Sequence, residues 1–164
     1  MLRFLQKKLL PVNVSDDMIV AMADGEQIDL SEVDDEVFSN KMLGDSIAFR
    51  YDQDKVTICS PANGVLSVLY PSGHAFGIHM NNGVELLVHI GIDTVKTEGF
   101  GFKIKDKQQG NIVKAGDPIV EVDLKKLSLK YEMDTILIIV EPNGKHIRFK
   151  SGGHVLRGQP LIEV

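Results

Sequence analysis

The chain has 164 residues, 43% of them hydrophobic and 25% charged, with a formal net charge of -5. That length and composition predict one globular domain with a real core. The acidic balance argues against general nucleic-acid binding, which needs a basic face. Cys59 is the single cysteine and has no internal disulfide partner, which fits a reducing, cytoplasmic setting. No apolar run is long enough to span a bilayer.

The first ten residues, MLRFLQKKLL, place Leu2, Leu5 and Leu9 at helical spacing beside Arg3, Lys7 and Lys8. A basic amphipathic start of this kind can make peripheral contact with an anionic membrane. An arm packed on its own domain, or a frayed terminus, explains it as well. The expected organisation is an N-terminal amphipathic arm over 1–16, followed by a single domain over 17–164.

Beyond the arm, short runs rich in Val, Ile, Leu and Phe alternate with Gly, Asp, Asn and Pro, which predicts strand after strand. Strands are expected at 46–50, 55–59, 64–70, 74–80, 84–90, 118–122, 135–140 and 161–164. Turn signals fall at Pro61-Ala62-Asn63-Gly64, Asn81-Asn82-Gly83 and Pro142-Asn143-Gly144, each with a residue that tolerates positive φ. Helical patterns are short, a turn within 31–38 and a short helix near 124–130. The fold class is all-β, an antiparallel sandwich or barrel of many short strands. Two stretches, 110–117 (GNIVKAGD) and 152–159 (GGHVLRGQ), echo one another weakly, as a shared hairpin device more than a repeat.

The segment SGHAFGIHMNNGVELLVHIGIDTV, from Ser72 to Val95, carries the chemistry. Period-two alternation points Val84, Leu86, Val88 and Ile90 inward and Glu85, Leu87 and His89 outward. It groups His74 with Phe76, Ile78 and Met80, and sets His79 apart with Ala75 and Gly77. Antiparallel pairing through Asn81–Gly83 brings His74 and His89 to matching ends of a hairpin, as neighbours. Glu85 shares the His89 face, as a site residue or an exposed strand residue. Two facing imidazoles can hold a metal, a proton or a phosphoryl group. His79, His146 and His154 read as surface residues, and Cys59 as buried filler.

The string GHAFGIHMNNGVELLVHIGIDTV resembles the signature of the glucose-type enzyme IIA domain of the bacterial sugar phosphotransferase system (EIIA type 1). The likeness extends to Asp24-Gly25-Glu26, VDDEVFSNKMLGD (33–45), the Ser60–Gly64 turn, VKAGD (113–117) and Asp123-Leu124. The resemblance implies a phosphotransferase component with His89 as phosphoryl acceptor and His74 as phosphoryl stabiliser. Ser72 would orient His74, and the Gly91 backbone would orient His89. It implies transfer from the carrier protein HPr to His89 and on to a cysteine of an enzyme IIB domain. The IIB/IIC sugar permease is then a partner, and regulated permeases or kinases are further ones. Asp35, Val37, Phe38, Tyr70, Leu87, Asp93 and Val95 match the family's partner-binding ring. No cofactor is required.

The chain departs from the family pattern at Glu36, at Ser46, at Arg50-Tyr51 and at Lys96-Thr97, which bears on partner choice. A zinc site at His74 and His89 is a second reading. Zinc-peptidase chemistry is disfavoured, because Val88-His89-Ile90 forms no H-x-H pair and no histidine precedes His74. A regulatory interaction module without phosphoryl transfer is a third.

Overall fold

The structure, a computed structural model, describes residues 9–163. Eleven strands and two one-turn helices follow in order: β1 (Gly25–Ile28), α1 (Glu36–Ser39), β2 (Asp45–Arg50), β3 (Lys55–Cys59), β4 (Gly64–Leu69), β5 (Ala75–Met80), β6 (Glu85–Ile90), β7 (Phe102–Ile104), β8 (Ile112–Val113), β9 (Pro118–Asp123), α2 (Leu124–Leu127), β10 (Thr135–Glu141) and β11 (Gly153–Val155). The larger sheet has the order β11-β1-β2-β10-β6-β5-β4-β8 and the smaller β3-β9-β7. Every named pairing is antiparallel. Neither sheet closes on itself, so the sandwich form of the expected fold is the one adopted.

Alternation builds two apolar layers from the same strands. The main core takes Phe49 from β2, Leu66 from β4, Phe76, Ile78 and Met80 from β5, Leu86, Val88 and Ile90 from β6, and Ile119 and Val122 from β9. A second, smaller cluster lies on the opposite face of β2 and β10 and contains Leu30, Val33, Phe38, Ala48, Ile92, Ile136 and Ile138, with Leu87 packed on it. That second cluster is the floor on which the histidine site stands. Burying such side chains contributes about 1.5–3 kcal/mol each before conformational entropy is set against it.

The strand forecasts at 46–50, 55–59, 64–70, 84–90, 118–122 and 135–140 match within one residue at each end. Among the described residues, the strand expected at 161–164 is replaced by single bridges, Val20 to Pro160 and Phe149 to Ile162. No continuous edge lies there for a ladder to extend along. The short strands β1, β7, β8 and β11, of which all but β1 lie at sheet edges, stand outside the expected set. They run two to four residues, too few to show an alternation.

The echoed segments have a shared role. Their turns hold Gly116 (φ +90°) and Gly158 (φ +87°), and a Cβ on either would meet Val12. Val12 thus packs over both turns, and Asn63 donates to the Val14 carbonyl at 3.0 Å, so residues 12–14 lie against the domain. The amphipathic pattern of residues 1–8 lies outside the described residues. Among the described residues, no helix is long and apolar enough to cross a membrane.

Candidate functional site

Three chain segments converge on the two histidines. The first is the turn joining β4 to β5, in which the Gly73 N–H donates to the Tyr70 carbonyl at 2.8 Å and Gly73 takes φ +80°. It presents Tyr70, Ser72 and His74. The second is the end of β6 with the 3-10 turn Thr94–Thr97, which presents His89, Gly91, Asp93 and Val95. The third is α1, which exists because Asp35 caps it, its carboxylate accepting from the Val37 N–H at 2.9 Å. It presents Val37 and Phe38.

Strand register sets the two histidines side by side, though alternation does not extend to His74. Ala75 lies opposite His89, and the His74 carbonyl accepts the Ile90 N–H at 2.7 Å. His74 precedes β5, just after the left-handed Gly73, so it does not follow Phe76 into the core. Its ring meets that of His89 edge to face, with centroids 5.3 Å apart and an 80° interplanar angle. Tyr70 stands 5.1 Å from His74 and Phe38 5.0 Å from His89, completing a row of four rings. His74 is 3% exposed and His89 is half-buried.

Hydrogen bonding makes the two rings unlike. The Gly91 carbonyl lies 2.8 Å from His89 Nδ1. A carbonyl only accepts, so Nδ1 carries the proton and Nε2 of the neutral ring keeps a free lone pair. His74 Nδ1 pairs with the Ser72 hydroxyl, which can donate or accept. When Ser72 donates, Nε2 of His74 bears the proton and becomes a donor.

The surroundings of both rings favour the neutral form. Burial pushes the pKa of each below the ordinary histidine value. The neighbouring His89 lowers His74 further. For His89, the Gly91 bond and the Asp35 and Asp93 carboxylates act in the opposite sense without overcoming burial. An unfolded histidine titrates near 6.5, so below that pH the unfolded chain binds more protons than the folded one. Stability should therefore fall as pH drops through the window between about 6.5 and the lower folded values. Urea unfolding across that range should show a steeper loss in the wild type than in a His74→Gln/His89→Gln double variant. Equal slopes would mean that the pair does not carry the effect.

The other forecast residues divide clearly. Val37, Tyr70 and Val95 are 41%, 42% and 54% exposed, large apolar groups left open around the rings. Leu87 is half-buried on the second cluster, Phe38 is buried, and the exposed Asp93 sits in a left-handed conformation at φ +61°. Glu85 is not part of the site. It lies four residues along β6, about 13 Å away at strand rise, paired with the exposed His79. His146 and His154 are exposed, and Cys59 is fully buried. Thr94, within the GIDTV stretch of the motif, has a buried hydroxyl that donates to the Ile90 carbonyl, and Asp134, which sequence reasoning missed, has a carbonyl that accepts the Gly91 N–H at 3.0 Å. Asp134 lies in no recognisable spacing, because it acts on Gly91 through a backbone atom.

Two imidazoles alone do not make a metal centre. Among the described residues no group of three or more His, Cys, Asp or Glu side chains converges. A catalytic zinc takes three protein ligands and a structural one four. The histidines therefore do not fit a resident zinc unless another protein supplies the missing donors.

The sequence pattern of "phosphoenolpyruvate-dependent sugar phosphotransferase system, EIIA 1" matches residues 17–147, which include both histidines and all three segments around them. The chain belongs to this EIIA type 1 family. It is similar to the "PTS system glucose-specific EIICBA component" of Staphylococcus carnosus (strain TM300), at 38% identity over 90% of this chain and 22% of that protein. Similarity to the glucoside-specific EIICBA component of the same organism is 40% over 90% of this chain and 21% of that protein. This EIIA chain thus spans about a fifth of the length of those curated relatives. The solved "glucose permease IIA from Mycoplasma capricolum" superposes with a TM-score of 0.82 at 38% identity. That match covers 88% of this chain and 93% of the other, and supports the β-sandwich.

Proposed function

We propose that this EIIA chain is a phosphohistidine carrier, taking a phosphoryl group from phospho-HPr on His89 Nε2 and passing it to a cysteine of an enzyme IIB domain. The observation that carries the reading is the Gly91 carbonyl on His89 Nδ1, which leaves Nε2 as the one nucleophilic nitrogen of that ring.

In the first step the Nε2 lone pair attacks phosphorus. The new N–P bond forms as the donor's N–P bond breaks, and the bonding pair returns to the donor imidazole. In the second step a cysteine thiolate attacks the same phosphorus. An S–P bond forms, and the N–P pair returns to His89 Nε2. Transfer between two phosphoimidazoles is close to isoenergetic, so catalysis consists of alignment and of stabilising charge on the moving group. His74, oriented by Ser72, supplies an N–H to a phosphoryl oxygen. No cofactor takes part in either step.

The exposed Val37, Tyr70 and Val95 form the apolar part of the docking face, and Asp35 and Asp93 its acidic rim. An apolar centre with a charged rim suits a transient protein partner, and acids at the rim speed encounter with a basic one. The unphosphorylated form would use the same face to bind regulated permeases or kinases. A cytoplasmic location follows from this role.

The test is incubation with histidine-phosphorylated HPr followed by mass measurement. One acid-labile phosphoryl group should appear, and His89→Ala should gain none. A wild type that gains none contradicts the proposal.

A further inference from the structure

His89 is useful as a nucleophile only while the Gly91 carbonyl stays where it is. Gly91 and Ile92 follow β6 and belong to no strand. They hang on the segment before β10, with the Gly91 N–H donating to the Asp134 carbonyl at 3.0 Å and the Ile92 N–H to the Glu132 carbonyl at 2.8 Å. Residues 132–134 are themselves outside any strand, so something must hold them in turn.

Register shows what does. Phe49 of β2 and Ile90 of β6 both lie opposite Thr135 of β10. One residue further, Arg50, Asp134 and Gly91 are therefore lateral neighbours across three adjacent strand ends. The Arg50 guanidinium grips the Asp134 carboxylate with two parallel bonds, Nε to Oδ1 and Nη2 to Oδ2, both 2.9 Å. The Asp134 side chain is only 8% exposed, so this pair replaces its lost hydration. A third contact, Arg50 Nη1 to Glu32 at 3.7 Å, ties the clamp to the turn ahead of α1.

We propose that Arg50 and Asp134 are positioning residues for the His89 imidazole. The bidentate pair locks the 132–134 segment, that segment locks Gly91, and the Gly91 carbonyl locks the Nδ1–H tautomer. The reactive consequence rests on the phosphoryl-carrier reading, whereas the effect on the imidazole does not.

The test uses Arg50→Met, Arg50→Lys, and Arg50→Met/Asp134→Leu, the last removing the clamp without stranding a buried carboxylate. Long-range proton–nitrogen NMR reads the His89 tautomer with no phosphate present, and rapid quench reads phosphoryl uptake from HPr. The wild type should show one tautomer, protonated at Nδ1. Arg50→Met and the double variant should show a mixture, with uptake slowed roughly tenfold or more by misalignment. Arg50→Lys, which holds the carboxylate without the fork, should fall between. A variant that keeps the single tautomer overturns the proposal, as does a shifted tautomer at the wild-type rate. If Arg50→Met fails to fold, the double variant decides by the same two readings. A wild type that takes up no phosphoryl group would sink the carrier reading alone, and the tautomer measurement would still judge the clamp.

Discussion

His74→Ala should still reach the wild-type level of phosphorylation from HPr but pass the group to a IIB cysteine roughly 10²–10³ times more slowly than wild type. Uptake is read at equilibrium between two phosphoimidazoles of similar energy, so a slower step does not change the final occupancy. Onward transfer is read as a rate and loses the one donor aimed from inside the site at the moving oxygens. His74 is 3% exposed beside a half-buried partner, so water is a poor substitute for its N–H. Rapid-quench measurement of phosphate transfer to IIB reads this directly. His74→Gln, which keeps an amide donor, should be less impaired. Onward transfer by His74→Ala within twofold of wild type would remove His74 from the chemistry.

Gly91→Val should cost about 2–4 kcal/mol in stability, summing a left-handed Cβ penalty and local overpacking. Gly91 has φ +76°, and a Cβ there would lie 2.5 Å from Thr94 Cγ2, 2.9 Å from Met133 Sδ and 3.2 Å from the Glu132 carbonyl. These atoms belong to the scaffold that holds the His89 acceptor, so the damage falls on the site as well as on the fold. Gly110→Val is the control. Its φ is +96°, but nothing lies within 4 Å of the added atom, so it should cost only the conformational penalty. Urea midpoints compare the two at constant m. Equal losses would mean that the close approach at Gly91 is not a real constraint.

The strands that carry the site were legible because they obey period two over five or six residues. Val84 to Ile90 alternated cleanly, and its inward set is buried to 2% exposure or less. Alternation failed at His74, where a left-handed glycine breaks the strand just before the residue of interest. The histidine pairing was still correct because it depended on the hairpin turn rather than on strict parity. The exposed apolar residues Val37, Tyr70 and Val95 beside the histidines were located through the family motif, residue by residue. The clamp was not. Arg50 and Asp134 lie 84 positions apart and meet only because β10 pairs with both β2 and β6, a sheet order that no local pattern encodes. Arg50 stands out in the sequence only as a departure from the family's usual residues, and in the structure it pairs with the buried Asp134 carboxylate.

In the proposed carrier mechanism, His89 carries the phosphoryl group on Nε2 because the Gly91 carbonyl occupies Nδ1. Long-range proton–nitrogen NMR on the phosphorylated protein tests it most directly. One phosphohistidine is expected, His89, with phosphorus bonded to Nε2 and the proton retained on Nδ1. Phosphorus on Nδ1 of His89, or on His74, would contradict it.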